Sequence, residues 1–367
     1  MNDFIPQMEP WFGPEEKEAL NRYMDEGGWL TEFRHTAEFE RMVAGYTGSR
    51  HAIVVNNGTV SLTLMALAAG LKAGDEVIVP DYTMIATPNA VKMFGAVPVF
   101  ADVEPETLCL DLERAREAIT PRTRALFFVN ANGRNPGPGI DAYRDLCHEY
   151  GLIFLEDSAQ SLGSRYPDGR HQGTAGVGGS FSFSAPKVIS TGQGGAVITD
   201  DDEFASRLRR LKDFGRSGGG NDIHGSIGYN FKFTELQAII GVEQMKKLPM
   251  RVERKKEIFR QYREQLADVE GIRFFNQDLS CTTPWFIDIL ATERDALAAF
   301  LKSQGIGTRV MYPPIHRQEA YNLTGYHPVA ERVGREGLWL PSASQLTDDH
   351  IRRICSAIKT FYQQFHA

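Results

Sequence analysis

Residues 151–200 read GLIFLEDSAQSLGSRYPDGRHQGTAGVGGSFSFSAPKVISTGQGGAVITD. Residues 152–155 are a short apolar run of the kind that forms a buried strand, and the run ends in Glu156 and Asp157. Open α/β sheets bind ligands at the carboxyl ends of their strands, so Asp157 is placed to touch one. Residues 180–184 read as another strand. Lys187 lies just past it, with Thr191, Gly192, Gln193, Gly194 and Gly195 behind, so small residues surround the lysine.

Either residue alone has an ordinary explanation, Asp157 as the end of a strand and Lys187 as a solvated loop charge. Together they are the two protein groups that pyridoxal phosphate requires. The amine forms a Schiff base, and a carboxylate on a neighbouring strand keeps the pyridinium nitrogen protonated.

Working outward, residues 51–55 (HAIVV) form a strand followed by Asn56, Asn57, Gly58 and Thr59 and a helical run over 60–69. A glycine and a hydroxyl residue at a helix start present unpaired N–H groups at the positive end of the helix dipole, a setting that suits a phosphate as well as an ordinary cap. GxGxxG is absent, so no dinucleotide fingerprint is present. Strands over 76–79, 97–101 and 125–129 alternate with helices over 111–119 and 141–150. The pattern predicts a mainly parallel sheet with helices on both faces. Helices are also expected over 15–24, 36–47 and 202–214, with a glycine-rich flexible loop over 215–222. Thr234 and Gln237 have capping-box spacing for a further helix.

A charged helix over 251–268 leads into a second unit, with strands over 285–290 and 308–311 and helices over 293–303 and 348–365. We therefore divide the chain into a large domain, 1–248, and a smaller carboxyl-terminal α+β domain, 249–367. The 367 residues, 42% of them hydrophobic, suffice for both cores.

Net charge of −7 and the lack of a basic stripe argue against nucleic acid and anionic membrane as partners. No apolar run approaches the ~20 residues of a membrane span, and the first twenty residues lack the apolar core of a signal peptide. Cys109, Cys147, Cys281 and Cys355 lie far apart without metal-ligand spacing, as expected of free thiols in the cytoplasm.

Glu156-Asp157-Ser158-Ala159-Gln160, Phe181-Ser182-Phe183, Lys187 and Thr191-Gly192-Gln193-Gly194-Gly195 together resemble the DegT/DnrJ/EryC1/StrS family of sugar aminotransferases, and further matches run over 28–340. The resemblance implies the aspartate-aminotransferase-like fold (fold type I) and pyridoxal 5'-phosphate as cofactor. It implies Lys187 and Asp157 as catalytic residues and Gln160 against the ring oxygen. It also implies a phosphate cup of Gly58, Thr59, Ser182 and Asn230, the asparagine coming from the partner subunit of a homodimer with shared active sites. Family dehydratases carry histidine at the lysine position, so Lys187 implies transamination.

Three stretches differ from common family patterns. Residues 31–33 replace a glycine-rich turn, and Met84 stands where many relatives stack an aromatic on the pyridine ring, with Tyr82 as a possible substitute. Residues 130–134 (NANGR) replace His-Leu-Tyr-Gly at a strand's carboxyl end, a place that bears on substrate. Arg309, Tyr312 and His316 fall in a neighbourhood that shapes the family's substrate pocket; by itself Arg309 is equally a structural arginine.

The implied activity is conversion of a keto sugar, nucleotide-linked, to an amino sugar for cell-surface polysaccharide, with glutamate as donor. A free keto acid sugar such as an oxidised octulosonate of lipopolysaccharide is an alternative acceptor, its carboxylate meeting Arg309 or Arg134. A regulatory protein that binds the cofactor without turnover is an alternative of another class, and the complete set Asp157, Gln160, Ser182 and Lys187 argues against it.

Overall fold

The computed structural model describes residues 4–218 and 222–365; residues 219–221, in the expected 215–222 loop, lie outside the described residues. Seven strands form the main sheet: β1 (His51–Val55), β2 (Glu76–Pro80), β3 (Val97–Ala101), β4 (Thr123–Val129), β5 (Ile153–Asp157), β6 (Gly178–Ser182) and β7 (Gly195–Thr199). Their spatial order is β1-β7-β6-β5-β4-β2-β3. The pairs β2–β3, β2–β4, β4–β5 and β5–β6 are parallel, and β7 runs antiparallel to both its neighbours. This is the mainly parallel mixed sheet expected of fold type I.

Both faces are buried, and alternate residues serve different cores. Ala52, Val54, Ile78, Leu126, Phe128 and Ile198 enter one cluster. Ile53, Val55, Val77, Val79, Phe127 and Val197 enter the other. Burial on both faces explains why these strands read as continuous apolar runs.

The reversed strand β7 determines where chemistry can gather. β6 and β7 pair from Gly179↔Ile198 to Ser182↔Gly195, so the connection over 183–194, which carries Lys187, emerges at the carboxyl end of β6. β5 ends in Asp157 at the same edge, and β1 and β2 deliver residues 56–59 and 81–87 there.

A second sheet contains β8 (Ile272–Phe274), β9 (Ile287–Ala291), β10 (Arg309–Val310) and β11 (Gly337–Leu340) in the order β10-β11-β9-β8. The sequence pattern did not mark β8, β11 or the helix Pro328–Glu336. β11 is central to this sheet but only four residues long, too short to show a period.

A single 31-residue helix, Glu235–Gln265, replaces the expected separate helix over 251–268 and carries Pro249 inside it. It contributes Leu248 to the first core and Ile258, Phe259 and Tyr262 to that of the second sheet, so the 248/249 boundary falls within one continuous element. Ile5 also joins the second core. Its N–H donates to Gly305 O (2.8 Å) and its carbonyl accepts from Gly307 N (2.7 Å).

Candidate active site

The Asp157 carboxylate, buried at the end of β5, accepts from the Thr87 hydroxyl (2.7 Å) and the Ala159 N–H (3.1 Å). Burial raises its pKa above the ordinary carboxylate value, while the two donors and Lys187 pull the other way. Glu156 has a different fate. It is fully buried and accepts from the Tyr166 hydroxyl and the N–H groups of Gly173 (2.9 Å), Ala175 (2.6 Å) and Gly176 (2.9 Å), which makes it a structural anchor for the loop before β6.

Lys187 Nζ lies 3.9 Å from the ring centroid of Trp285. The indole N–H donates to Pro186 O (2.7 Å), fixing the ring beside the lysine. Desolvation brings the lysine pKa from 10.5 down to about 8, against the opposing pull of Asp157. An amine with that pKa has a substantial neutral, nucleophilic fraction near neutral pH.

Both side chains line a cavity of about 430 Å³ together with Asn57, Gly58, Thr59, Met84, Gln160 and Ser182. Gly58 opens the helix Gly58–Ala68, capped by Asn57 Oδ1 on Val60 N (2.9 Å). The Gly58 and Thr59 N–H groups have no intrahelical acceptor, and both residues line the cavity. A side chain at residue 58 would meet Ser182 Cβ at 2.8 Å and Oγ at 2.9 Å, so the helix start can approach Ser182 only with glycine there. Gln160 Oε1 accepts from Asn132 N (2.8 Å), which leaves its amide nitrogen for the cavity. A wider groove of about 630 Å³ lies among Glu32, His51, Arg209 and Lys212, but its lysine is already engaged, paired with Glu32 (2.7 Å) and donating to Val54 O (3.0 Å).

These residues fit pyridoxal phosphate. The lysine amine has no hydrogen bond among the described residues, the carboxylate has acceptor capacity left, and the glycine-bearing helix start suits a phosphate. The DegT/DnrJ/EryC1/StrS aminotransferase family model matches residues 12–359. The chain belongs to this family.

GDP-perosamine synthase of Vibrio cholerae is 33% identical over 98% of this chain and 99% of its own. DesV of S. venezuelae is 34% identical, with a TM-score of 0.89 over 95% of each chain. The structure of DesI in the presence of its TDP-sugar product is 33% identical, with a TM-score of 0.90 over 100% of this chain and 95% of that one. The chain is thus a pyridoxal-phosphate-dependent sugar aminotransferase.

Within this aminotransferase, the cavity gathers most of the residues singled out in the sequence. Gly58, Thr59, Met84, Asp157, Gln160, Ser182, Lys187, Arg309 and Tyr312 all line it. Tyr82 lies behind it, buried against Tyr312 with centroids 5.9 Å apart, so Met84 is the residue at the cavity wall.

Two substrate assignments need correction. The Arg134 guanidinium is 1% exposed, ion-paired with Asp288 of β9 and stacked on Phe275 at 5.0 Å; it braces the two sheets and does not line the cavity. Its neighbours Asn130 and Asn132 are buried too, Asn132 bonding the Phe286 backbone at both N–H (2.7 Å) and C=O (2.8 Å). His316 is likewise 1% exposed and turned onto Asp81.

Asn230 is exposed, bridges Asp213 and does not line the cavity of its own chain. Residues 31–33 lie outside that cavity as well, Thr31 pairing with Thr234 and the Phe33 N–H donating to Glu235 (2.8 Å).

Thr87 and Trp285 are site residues that sequence reasoning missed. Thr87 follows β2 by seven residues, where a hydroxyl at a strand's carboxyl edge is a signal the sequence carries. Trp285 had none, because it reaches the lysine from the second sheet.

Proposed function

We propose that this aminotransferase acts on a nucleotide-linked keto sugar, takes its amino group from glutamate and works as a cytoplasmic homodimer. The observation that carries the reading is the meeting of Lys187 and Asp157 in one cavity beside a helix N-terminus. Its nucleotide-linked part rests on the relatives, one named for a GDP sugar and one solved with a TDP-sugar product. The four cysteines are free thiols, as a reducing compartment requires. No helix among the described residues is long and apolar enough to cross a membrane.

When bound, pyridoxal phosphate supplies an electrophilic carbon for the amine and a ring that accepts the electrons freed at the donor's α-carbon. Lys187 would hold the cofactor through its amine, which would also take up and return the proton at the donor's α-carbon. Asp157, oriented by Thr87, would keep the ring nitrogen protonated. Gln160 would donate to the ring oxygen, Met84 would cover a ring face through thioether–aromatic contact worth about 0.3–1.5 kcal/mol, and Gly58, Thr59 and Ser182 would hold the phosphate. Asn230, exposed and outside its own cavity, would complete the phosphate cup of the partner.

A free keto acid sugar remains the second reading, because Arg309 lines the cavity as a cation for a carboxylate. Absorbance of the holoenzyme decides between them. Glutamate should bleach the resting band, and a nucleotide-linked keto sugar should restore it. Restoration by a free keto acid sugar alone, lost in Arg309→Ala, transfers the assignment to the second reading.

A further inference from the structure

The long helix Glu235–Gln265 carries two buried bases one turn apart, Arg251 and Lys255, and neither forms an ion pair among the described residues. Fully buried lysines almost always pair with an acid. Lys255 Nζ instead donates to Trp285 O (2.8 Å) and Ser342 O, and it lies 5.9 Å from the ring centroid of Phe286. Both carbonyls sit just off a strand, Trp285 two residues before β9 and Ser342 two past β11, where the ladder offers them no partner. The Ser342 hydroxyl accepts from the N–H of Ile287 (2.8 Å), the first residue of β9, so the lysine fixes the approach to that strand from two sides.

The chain that enters β9 there carries the wall of the active site, since the Trp285 ring lies 3.9 Å from Lys187 Nζ and its N–H is bonded to Pro186 O (2.7 Å). Arg251, one turn before Lys255, donates to the carbonyl of Val188 (3.1 Å), the residue after Lys187. Its other donors reach Gln244 Oε1 (2.6 Å) and Trp11 O (2.6 Å). Spaced four apart, the two bases share a helix face. That face grips the segment bearing Lys187 and, separately, the residue that covers it. Desolvation and the Arg251 charge bring the Lys255 pKa from 10.5 to about 7. Charged or neutral, the amine keeps the two N–H groups its carbonyls need.

We propose that Lys255 is a positioning residue for the reaction: through the Trp285 carbonyl it holds the indole against Lys187 and so keeps that amine dry enough to be nucleophilic. This role rests on Lys187 being the amine that binds the cofactor. The ring face also attracts an ammonium, but full burial lowers a lysine pKa by up to about 3–5. A wall held in place therefore favours the neutral amine on balance. Asp157, Arg309 and Tyr312, the other titratable groups lining the cavity, have no hydrogen bond to Lys255.

The test follows, by absorbance across pH 6–11, covalent capture of pyridoxal phosphate by the full chain after the cofactor has been removed. Lys255→Met should move the midpoint of the capture rate up from about 8 by about one pH unit or more, roughly a tenfold loss of neutral amine near neutral pH. Trp285→Leu should also raise it. The double variant should match Trp285→Leu alone, because Lys255 acts through that ring. Should Lys255→Met not fold, Lys255→Gln keeps an amide donor for one carbonyl and should give a smaller shift in the same direction. An unmoved midpoint in the folded Lys255 variant overturns the role. So does a double variant whose shift is the sum of the two single ones, since loss of the Lys255 charge by itself would give that. Capture that persists in Lys187→Ala would instead sink the assignment of Lys187.

Discussion

Burial strips water from the Lys187 ammonium and brings its pKa down to about 8, against the opposing pull of Asp157. The neutral amine is the nucleophile, and a depressed pKa means the neutral form is reached at lower pH. Covalent capture of pyridoxal phosphate by the cofactor-free protein should therefore accelerate as pH rises through about 8 and then level off. Stopped-flow absorbance across pH 6–11 checks this; a rate still climbing past pH 10 would mean a lysine with its usual pKa. Thr87 offers a second test at this scale. Its hydroxyl bond lowers the pKa of a carboxylate that burial raises. A hydrogen bond to a charged group contributes about 1.5–3 kcal/mol, so Thr87→Val should reduce kcat about 10–100-fold and Thr87→Ser should recover most of it.

At the scale of elements, the helix Gly58–Ala68 reaches Ser182 only because residue 58 has no side chain. Gly58→Ala forces that contact apart at an overpacking cost of about 1–3 kcal/mol, so cofactor affinity should fall about tenfold or more. Adding Ser182→Gly removes the two atoms the new methyl group meets and should restore part of the affinity. Equilibrium dialysis of both variants measures this.

These local features were also the legible ones. Apolar runs ending in Asp157 and Val55, the helix start at Gly58 and the glycines behind Lys187 each carry their meaning within a few residues. Arg134 does not, since its meaning depends on Asp288, 154 positions downstream, and a buried arginine in a loop string looks like any exposed one. His316 is similar, because Asp81 precedes it by 235 positions. β11 escaped notice for want of length, and Trp285 because its role depends on how the two sheets dock.

For the whole molecule, the buried Arg134–Asp288 pair is the bond between sheets most open to test. Burial raises the Asp288 pKa and Arg134 lowers it. Removing one partner leaves an uncompensated buried charge, at a cost of about 3–5 kcal/mol, whereas replacing both with apolar residues removes the desolvation penalty along with the attraction. Asp288→Ala should accordingly lower the urea midpoint much more than the double change Arg134→Met with Asp288→Leu. Equal losses would show that the pair does not brace the sheets.

The docking of Trp285 onto Lys187 bears on how the protein assembles. One sheet owns the lysine, the carboxylate and the phosphate cradle, while the other supplies the aromatic wall that dries the amine. During refolding, the first sheet should acquire a binding place for the cofactor before it acquires a reactive lysine. Non-covalent cofactor uptake should precede covalent capture, and the interval between them times the closure of the second sheet over the first.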